Sequence, residues 1–266
     1  MSVLDKFQLT DRVAIVTGGN RGLGKEMSKA LAEAGAQVAV VSRNAEQAQA
    51  VAADIQAASG QRCRGYSCDM TVAEQVEALA NQVLADFGQV DIIVNNAGIN
   101  IRGPIDKLTL EEFKEVQETN VTGPWLLCRA LAGHLKARKY GRVVNIGSTL
   151  SIVTMPDRTP YATSKGAILQ MSRTLALEWA PYGITVNCVM PGPFGTEMNL
   201  PLMNDPEAYK SFLSRIPLGR WGISTRSVDW LSSWPAMPAA LSPAPALQSM
   251  VVGRCSRAVG HKSSET

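Results

Sequence analysis

Six short runs, five of them rich in Val and Ile, recur along the first 190 residues, each set off from the next by a longer helical segment. They are RVAIVT (12–17), QVAVVS (37–42), CRGYSC (63–68), DIIVN (91–95), RVVNIG (142–147) and ITVNCV (184–189). Continuous apolar runs of this length read as strands covered on both faces, and strands that alternate with helices pair in parallel. The intervening helices are expected to reach about Ala34, about Ala58, from Val72 to about Phe87, from about Leu110 to Lys136, and from about Pro160 to Ala180. The expected fold class is therefore α/β: a single doubly wound, Rossmann-type parallel sheet with helices on both faces. No linker or repeat interrupts residues 1–222, which read as one catalytic domain.

Where the first strand gives way to the first helix stands TGGNRGLG (17–24). Glycines at 18, 22 and 24 allow a tight turn and close backbone approach to a pyrophosphate, which the free N–H groups of a helix N-terminus attract. The spacing G-x-x-x-G-x-G in a strand–turn–helix setting points to a dinucleotide site. NNAG (95–98) ends the fourth strand and supplies a second polar turn on the same sheet edge. The second strand ends in Ser42-Arg43-Asn44 with no carboxylate to hold a ribose or repel a 2′-phosphate. Arg43 and Arg21 are placed to flank such a phosphate, so NADP(H) is favoured over NAD(H).

A phenol and an ammonium follow in YATSK, with Tyr161 and Lys165 four residues apart and Ser148 thirteen residues earlier. Residues four apart share a helix face, and a neighbouring cation favours the phenolate. That arrangement yields a general acid/base able to exchange a proton with an alcohol or a carbonyl.

Together the glycine loop, Asp69, NNAG, Asn120, Ser148, Tyr161, Lys165 and the Pro191-Gly192 turn resemble the short-chain dehydrogenase/reductase family over about Phe7 to Gly222. The resemblance implies Tyr161 as acid/base, Lys165 lowering its pKa and binding the nicotinamide ribose, and Ser148 orienting the substrate oxygen. It implies Asn120 as a helix-bending residue that holds a relay water behind Lys165. The implied cofactor contacts are Gly18, Asn20, Arg21, Gly22, Leu23 and Gly24 in the first loop, then Ser42 and Arg43, then Asp69 and Met70. Asn95, Ala97 and Gly98, then Pro191, Gly192 and Thr196, complete the set with Tyr161 and Lys165. Within the family, NNAGINIRGPIDKLT and MPDRTPYATSKGAI are most like the gluconate 5-dehydrogenase group. The implied reaction interconverts a secondary alcohol and a ketone on a sugar acid, with Arg102 and Arg158 as candidate carboxylate contacts. A 3-oxoacyl-thioester reductase of the same family is the alternative. A nucleotide-binding protein without catalysis, or one impaired by its tail, is the reading from another class. The family also implies a homo-tetramer or dimer.

Composition narrows the field further. A net charge of +3 and 18% charged residues give no footprint for nucleic acid or a membrane surface. No apolar run approaches the ~20 residues of a membrane span. The start, MSVLDKFQLTDR, lacks the pattern of a signal peptide, and five cysteines without a CxxC fit a reduced, cytoplasmic protein. Cys63, Cys128 and Cys188 are expected in the core, and two histidines, His134 and His261, argue against zinc.

After LGRWG (218–222) the resemblance stops, which puts the C-terminal edge strand in doubt. Residues 223–266 carry prolines at 235, 238, 243 and 245, incompatible with a helix or central strand there. Two readings of this tail stand, a genuine divergent or disordered segment and a shifted reading frame: codons allowed for Ser233 to Gly253 can spell LASDAGSFVTGASLAVDGGW, the ending that the family carries. Three positions are forced, since Trp234-Pro235 and Met237-Pro238 each give Ala and Met250-Val251 gives Gly.

Overall fold

The computed structural model describes residues 7–222 except 215, 217 and 218. The proposed shifted-frame tail and its edge strand lie outside the described residues. Among the described residues six strands form one sheet: β1 (Val13–Thr17), β2 (Gln37–Ser42), β3 (Cys63–Ser67), β4 (Ile92–Asn95), β5 (Gly141–Ile146) and β6 (Ile184–Val189). Every pairing is parallel, as the alternating pattern predicts, and the order is β3-β2-β1-β4-β5-β6. The chain runs outward from β1 to β3, then returns to β1 and runs the other way. The β1/β4 boundary is thus the switch point, where a crevice opens at the strand carboxyl ends.

Side chains alternate across the sheet with period two. Ala14, Val16, Val38, Val40, Ile92 and Val94 face α1 (Gly22–Glu33) and α2 (Ala45–Ser59), while Ile15, Ala39, Val41, Ile93 and Val143 face the other layer. That second layer holds α3 (Ala73–Phe87), α5 (Gly123–Arg138) and α6 (Thr159–Trp179). Cys63, Cys128 and Cys188 are buried free thiols in these layers, as their apolar settings suggest.

One expected element is divided. The helix expected from Leu110 to Lys136 consists of α4 (Leu110–Gln117), a π-helical turn (Glu118–Thr122) and α5. Pro124 opens α5, where its missing N–H breaks the regular ladder, and the π turn takes up the extra residue. Asn120 sits within that turn and is 1% exposed. The described residues close with α7 (Leu200–Met203), α8 (Pro206–Leu213) and a bridge between Phe194 and Gly222.

Candidate active site

A cleft of about 710 Å³ lies along the strand carboxyl ends. Its floor is the β1–α1 loop. Gly18 has φ +62, and Gly24 approaches so closely that an added Cβ would collide with the Gly18 carbonyl oxygen. Gly22, Leu23 and Gly24 line the cleft, and α1 has neither a side-chain cap nor a first-turn acid. Its first N–H groups and the positive helix end are therefore left able to receive an anion, the requirement of a pyrophosphate. Asn20, also in the wall, is held by a 2.8 Å bond from its Nδ2 to Gln47 Oε1.

Asn96 locks this floor to β4. Its Nδ2 donates to the carbonyls of Thr17 (3.0 Å) and Gly18 (3.1 Å), while the backbone N–H groups of Asn96 and Ala97 donate to Thr17 Oγ1. Asn95 is a correction. It was expected at the cofactor, but it is buried inside the sheet, donating to Asn145 Oδ1 at 2.7 Å, and does not line the cleft. In an NN pair on a parallel strand only one side chain can face each way, and neither residue type reveals which.

Ser42, Arg43, Asp69 and Met70 line the adenine end. Ser42 Oγ is engaged in a local turn with Asn44. Asp69 Oδ1 accepts from Thr71 N and Oγ1, bonds that hold its carboxyl below the ordinary range. Arg21 differs from expectation: its Nη1 pairs with Glu197 Oε2 at 2.9 Å, across the cleft from the glycine loop. The attraction of a nearby carboxylate 176 residues away was invisible in the linear sequence. Thr196, beside it, faces Gly22, and Pro191 and Gly192 complete that wall.

Ser148, Tyr161 and Lys165 converge on the same cleft. Lys165 follows Tyr161 by one turn of α6, its Nζ donating to Ile146 O at 2.7 Å and standing 5.5 Å from the Tyr161 ring centre. Burial pushes the Lys165 ammonium down to about 8. Burial also raises the Tyr161 phenol above its ordinary value, and the groups that pull it back are the Ser148 hydrogen bond and then the Arg102 charge. The Lys165 ammonium, expected to lower the Tyr161 phenol, is directed in this structure at the Ile146 main-chain carbonyl.

Asn120 does not line the cleft. It is a strut behind it: Oδ1 accepts from Ile99 N (2.8 Å), and Nδ2 donates to Ile99 O (2.9 Å) and Ser164 Oγ (3.0 Å). Ser164 in turn donates to Tyr161 O. Arg102 and Arg158 both border the cleft. Arg102 Nη2 donates to Asn199 Oδ1 at 3.0 Å, and Arg158 Nη1 to Asp157 O at 2.8 Å. Burial lowers both guanidinium pKa values, and Arg158 also feels the charge of Arg102. Among the described residues no cluster suits a metal, and no helix is long and apolar enough to cross a membrane.

Sequence reasoning missed Asn96, Glu197, Asn199 and Ser151. Only Asn96 carried a signal, as the second residue of NNAG.

The pattern of the short chain dehydrogenase family matches residues 12–207. The chain is 37% identical over 224 residues to a 2-dehydro-3-deoxy-D-gluconate 5-dehydrogenase of Pseudoalteromonas atlantica, covering 83% of this chain and 87% of the relative. It is 34% identical to a 3-oxoacyl-[acyl-carrier-protein] reductase of Haemophilus influenzae, covering 79% and 85%. Among solved structures, a gluconate 5-dehydrogenase from Burkholderia cenocepacia in complex with NADP and tartrate superposes with a TM-score of 0.83 at 35% identity, covering 90% and 92%. Glycine loop, switch-point cleft and these likenesses agree: the chain belongs to the short-chain dehydrogenase family and is an oxidoreductase acting on CH–OH groups.

Proposed function

We propose that this enzyme interconverts a secondary alcohol and a ketone on a sugar acid of the gluconate/5-ketogluconate type, with NADP(H) preferred to NAD(H). The observation that carries the substrate class is the pair of partly buried arginines, Arg102 and Arg158, beside Tyr161. Two like charges drawn out of water near each other favour an anion between them, and guanidinium forks suit a carboxylate. The relatives named for sugar acids, and the structure solved with NADP and tartrate, support that reading. The absence of a carboxylate at the end of β2 and the presence of Arg43 there support the cofactor preference.

The bound nicotinamide would supply or accept the hydride at the substrate carbon. Gly18, Gly22, Leu23 and Gly24 would hold its pyrophosphate, Asp69 and Met70 its adenine end, and Thr196 with Pro191-Gly192 its nicotinamide wall. In reduction the Tyr161 hydroxyl gives its proton to the carbonyl oxygen; in oxidation the phenolate takes it back. Leu150 N donates to Ser148 Oγ at 3.1 Å, which leaves the Ser148 proton to point at the substrate oxygen. A Cβ at Gly98 would sit 3.1 Å from Asn120 Oδ1 and 3.7 Å from Lys165 Nζ. The bare glycine thus keeps open the gap where Asn120 is proposed to hold a water behind Lys165. Assembly into a homo-tetramer or dimer is proposed on the same family grounds. For residues 223–266 the proposal is the shifted frame, and codons incompatible with the alternative peptide would overturn it.

The test is turnover of 5-ketogluconate against an acetoacetyl thioester, with NADPH and then NADH. Preferential reduction of 5-ketogluconate that falls in Arg102→Ala and Arg158→Ala supports the reading. Preference for the thioester transfers it to a 3-oxoacyl reductase, and turnover of neither overturns the substrate class.

A further inference from the structure

Ser151 lies in the 3-10 turn that follows Ser148, and the proposed reaction gives its side chain no part. A serine at the end of such a turn ordinarily closes its own turn, and this one does so by accepting from Ser148 N at 3.2 Å. The same oxygen also reaches out of the turn and donates to the Lys165 carbonyl at 2.8 Å. One hydroxyl therefore joins the backbone of Ser148 to the helix that carries Tyr161 and Lys165. The position is specified from a second side: a Cβ at Gly147 would lie 3.0 Å from Ser151 Oγ and 2.8 Å from Cys188 Sγ, so the glycine leaves the hydroxyl its place. A second hydrogen bond of this turn, Thr149 N to Pro191 O at 3.1 Å, fixes it to the wall proposed for the nicotinamide, and the turn also packs against α6.

We infer that Ser151 is a positioning residue for the reaction, the clasp that sets the Ser148 hydroxyl against the Tyr161–Lys165 face of α6. The inference rests on the reading of Ser148 and Tyr161 as the reacting pair. Its physical content is distance: Ser148 belongs to a loop after β5, Tyr161 to a helix, and only their mutual placement lets both meet one substrate oxygen. A shift of the order of 1 Å between such groups costs rate far more than it costs folding. Since the Ser148 hydrogen bond opposes the upward pull of burial on Tyr161, loosening it also raises the pH at which the phenol ionises.

The experiment compares full-length wild type, Ser151→Ala, Ser151→Thr and Tyr161→Phe. Reduction of 5-ketogluconate by NADPH and oxidation of gluconate by NADP are followed from pH 6 to 10. In Ser151→Ala, kcat is expected to fall about tenfold with KM little changed, and the acid limb of oxidation to move to higher pH. Ser151→Thr, which keeps the hydroxyl, is expected to recover both. Wild-type kcat and pH limb in Ser151→Ala would overturn the inference. So would a fall in rate with an unmoved limb that merely follows loss of folded protein. Tyr161→Phe tells the two levels apart, because full turnover there overturns the reaction reading itself. If the sugar acids do not turn over, the phenol is titrated at 295 nm in wild type and Ser151→Ala, each minus its Tyr161→Phe counterpart. An upward displacement in Ser151→Ala supports the clasp, and an identical midpoint overturns it.

Discussion

Two clusters at opposite edges of this one sheet, one around the Asp91 carboxylate and one around the cleft, handle charge in opposite ways. At the amino edge Asp91 is fully buried, and its carboxylate is saturated by Arg12 and Arg138, each at 3.1 Å, by Val13 N at 3.0 Å and by Gln89 Nε2 at 2.9 Å. Tyr140 lies between the guanidinium groups of Arg12 and Arg142, 4.0 and 4.3 Å from its ring centre. At the carboxyl edge Tyr161, Lys165, Arg102 and Arg158 border an open cleft, and burial displaces the pKa of each in the direction that opposes its charged form. A buried charge surrounded by its own partners belongs to the fold. Charged groups desolvated around a cavity are paid for by stability and answered by a ligand.

If the comparison is right, removing a group at one edge should spare what the other edge does. Tyr161→Phe is expected to lower kcat about 10²–10⁴-fold while the urea midpoint stays close to wild type. Asp91→Ala should do the reverse. It leaves the Val13 N–H and two guanidinium groups without their carboxylate, at a cost of about 3 kcal/mol in urea unfolding, with kcat per folded molecule unchanged. Loss of kcat in Asp91→Ala at full folding would break the division of labour.

A smaller effect sits within the carboxyl edge and has a definite sign in pH. Lys165 is held near 8 in the folded chain against an ordinary 10.5, so between those values the folded state binds fewer protons than the unfolded one. Its contribution to stability therefore rises with pH from 8 to 10.5, and below pH 8 its full cost is present. Lys165→Met should be more stable than wild type at pH 7 by on the order of 2–3 kcal/mol, after the lost bond to Ile146 O is set against the relieved burial. The gain should vanish as pH approaches 10.5. A gain independent of pH would mean that the ammonium is not what burial penalises.

The sheet was legible because its information is local and periodic. Val13–Thr17 or Ile184–Val189 declares a buried strand by composition alone, and alternation with helices then leaves one parallel arrangement. The glycine loop was legible for a similar reason, since the chemistry there belongs to the backbone and the missing side chains are themselves the signal. What stayed hidden depends on distance through space. The π turn at Glu118–Thr122 is a packing adjustment within a helical pattern, and the inward turn of Asn95 is a matter of which face the pleat presents. Ser151 reads as an ordinary loop hydroxyl until α6 is seen beside it. The direction of the Lys165 ammonium likewise follows from where Ile146 O lies and not from the four-residue spacing.

The smallest expected effect tests the exposed counterpart of the Asp91 cluster. Arg21 and Glu197 form a single pair at 2.9 Å with side chains 65% and 57% exposed, in contrast to a carboxylate with two arginines and no exposure. A pair of that kind is worth little, and screening by salt weakens it further. It is therefore able to exchange partners, and a 2′-phosphate with more charge than a carboxylate is the competitor that the Arg21 reading supplies. Glu197→Gln removes the resident partner without removing Arg21, so NADPH should bind a few-fold more tightly relative to NADH, as read by nicotinamide fluorescence at low salt. Arg21→Ala should move the same ratio the other way, and added salt should shrink both shifts. An unchanged ratio in both variants would leave Arg43 as the cofactor-selecting arginine and reduce the Arg21–Glu197 pair to a surface contact. Opposite shifts would show that this edge keeps its ion pairs weak where a ligand must replace one of the partners.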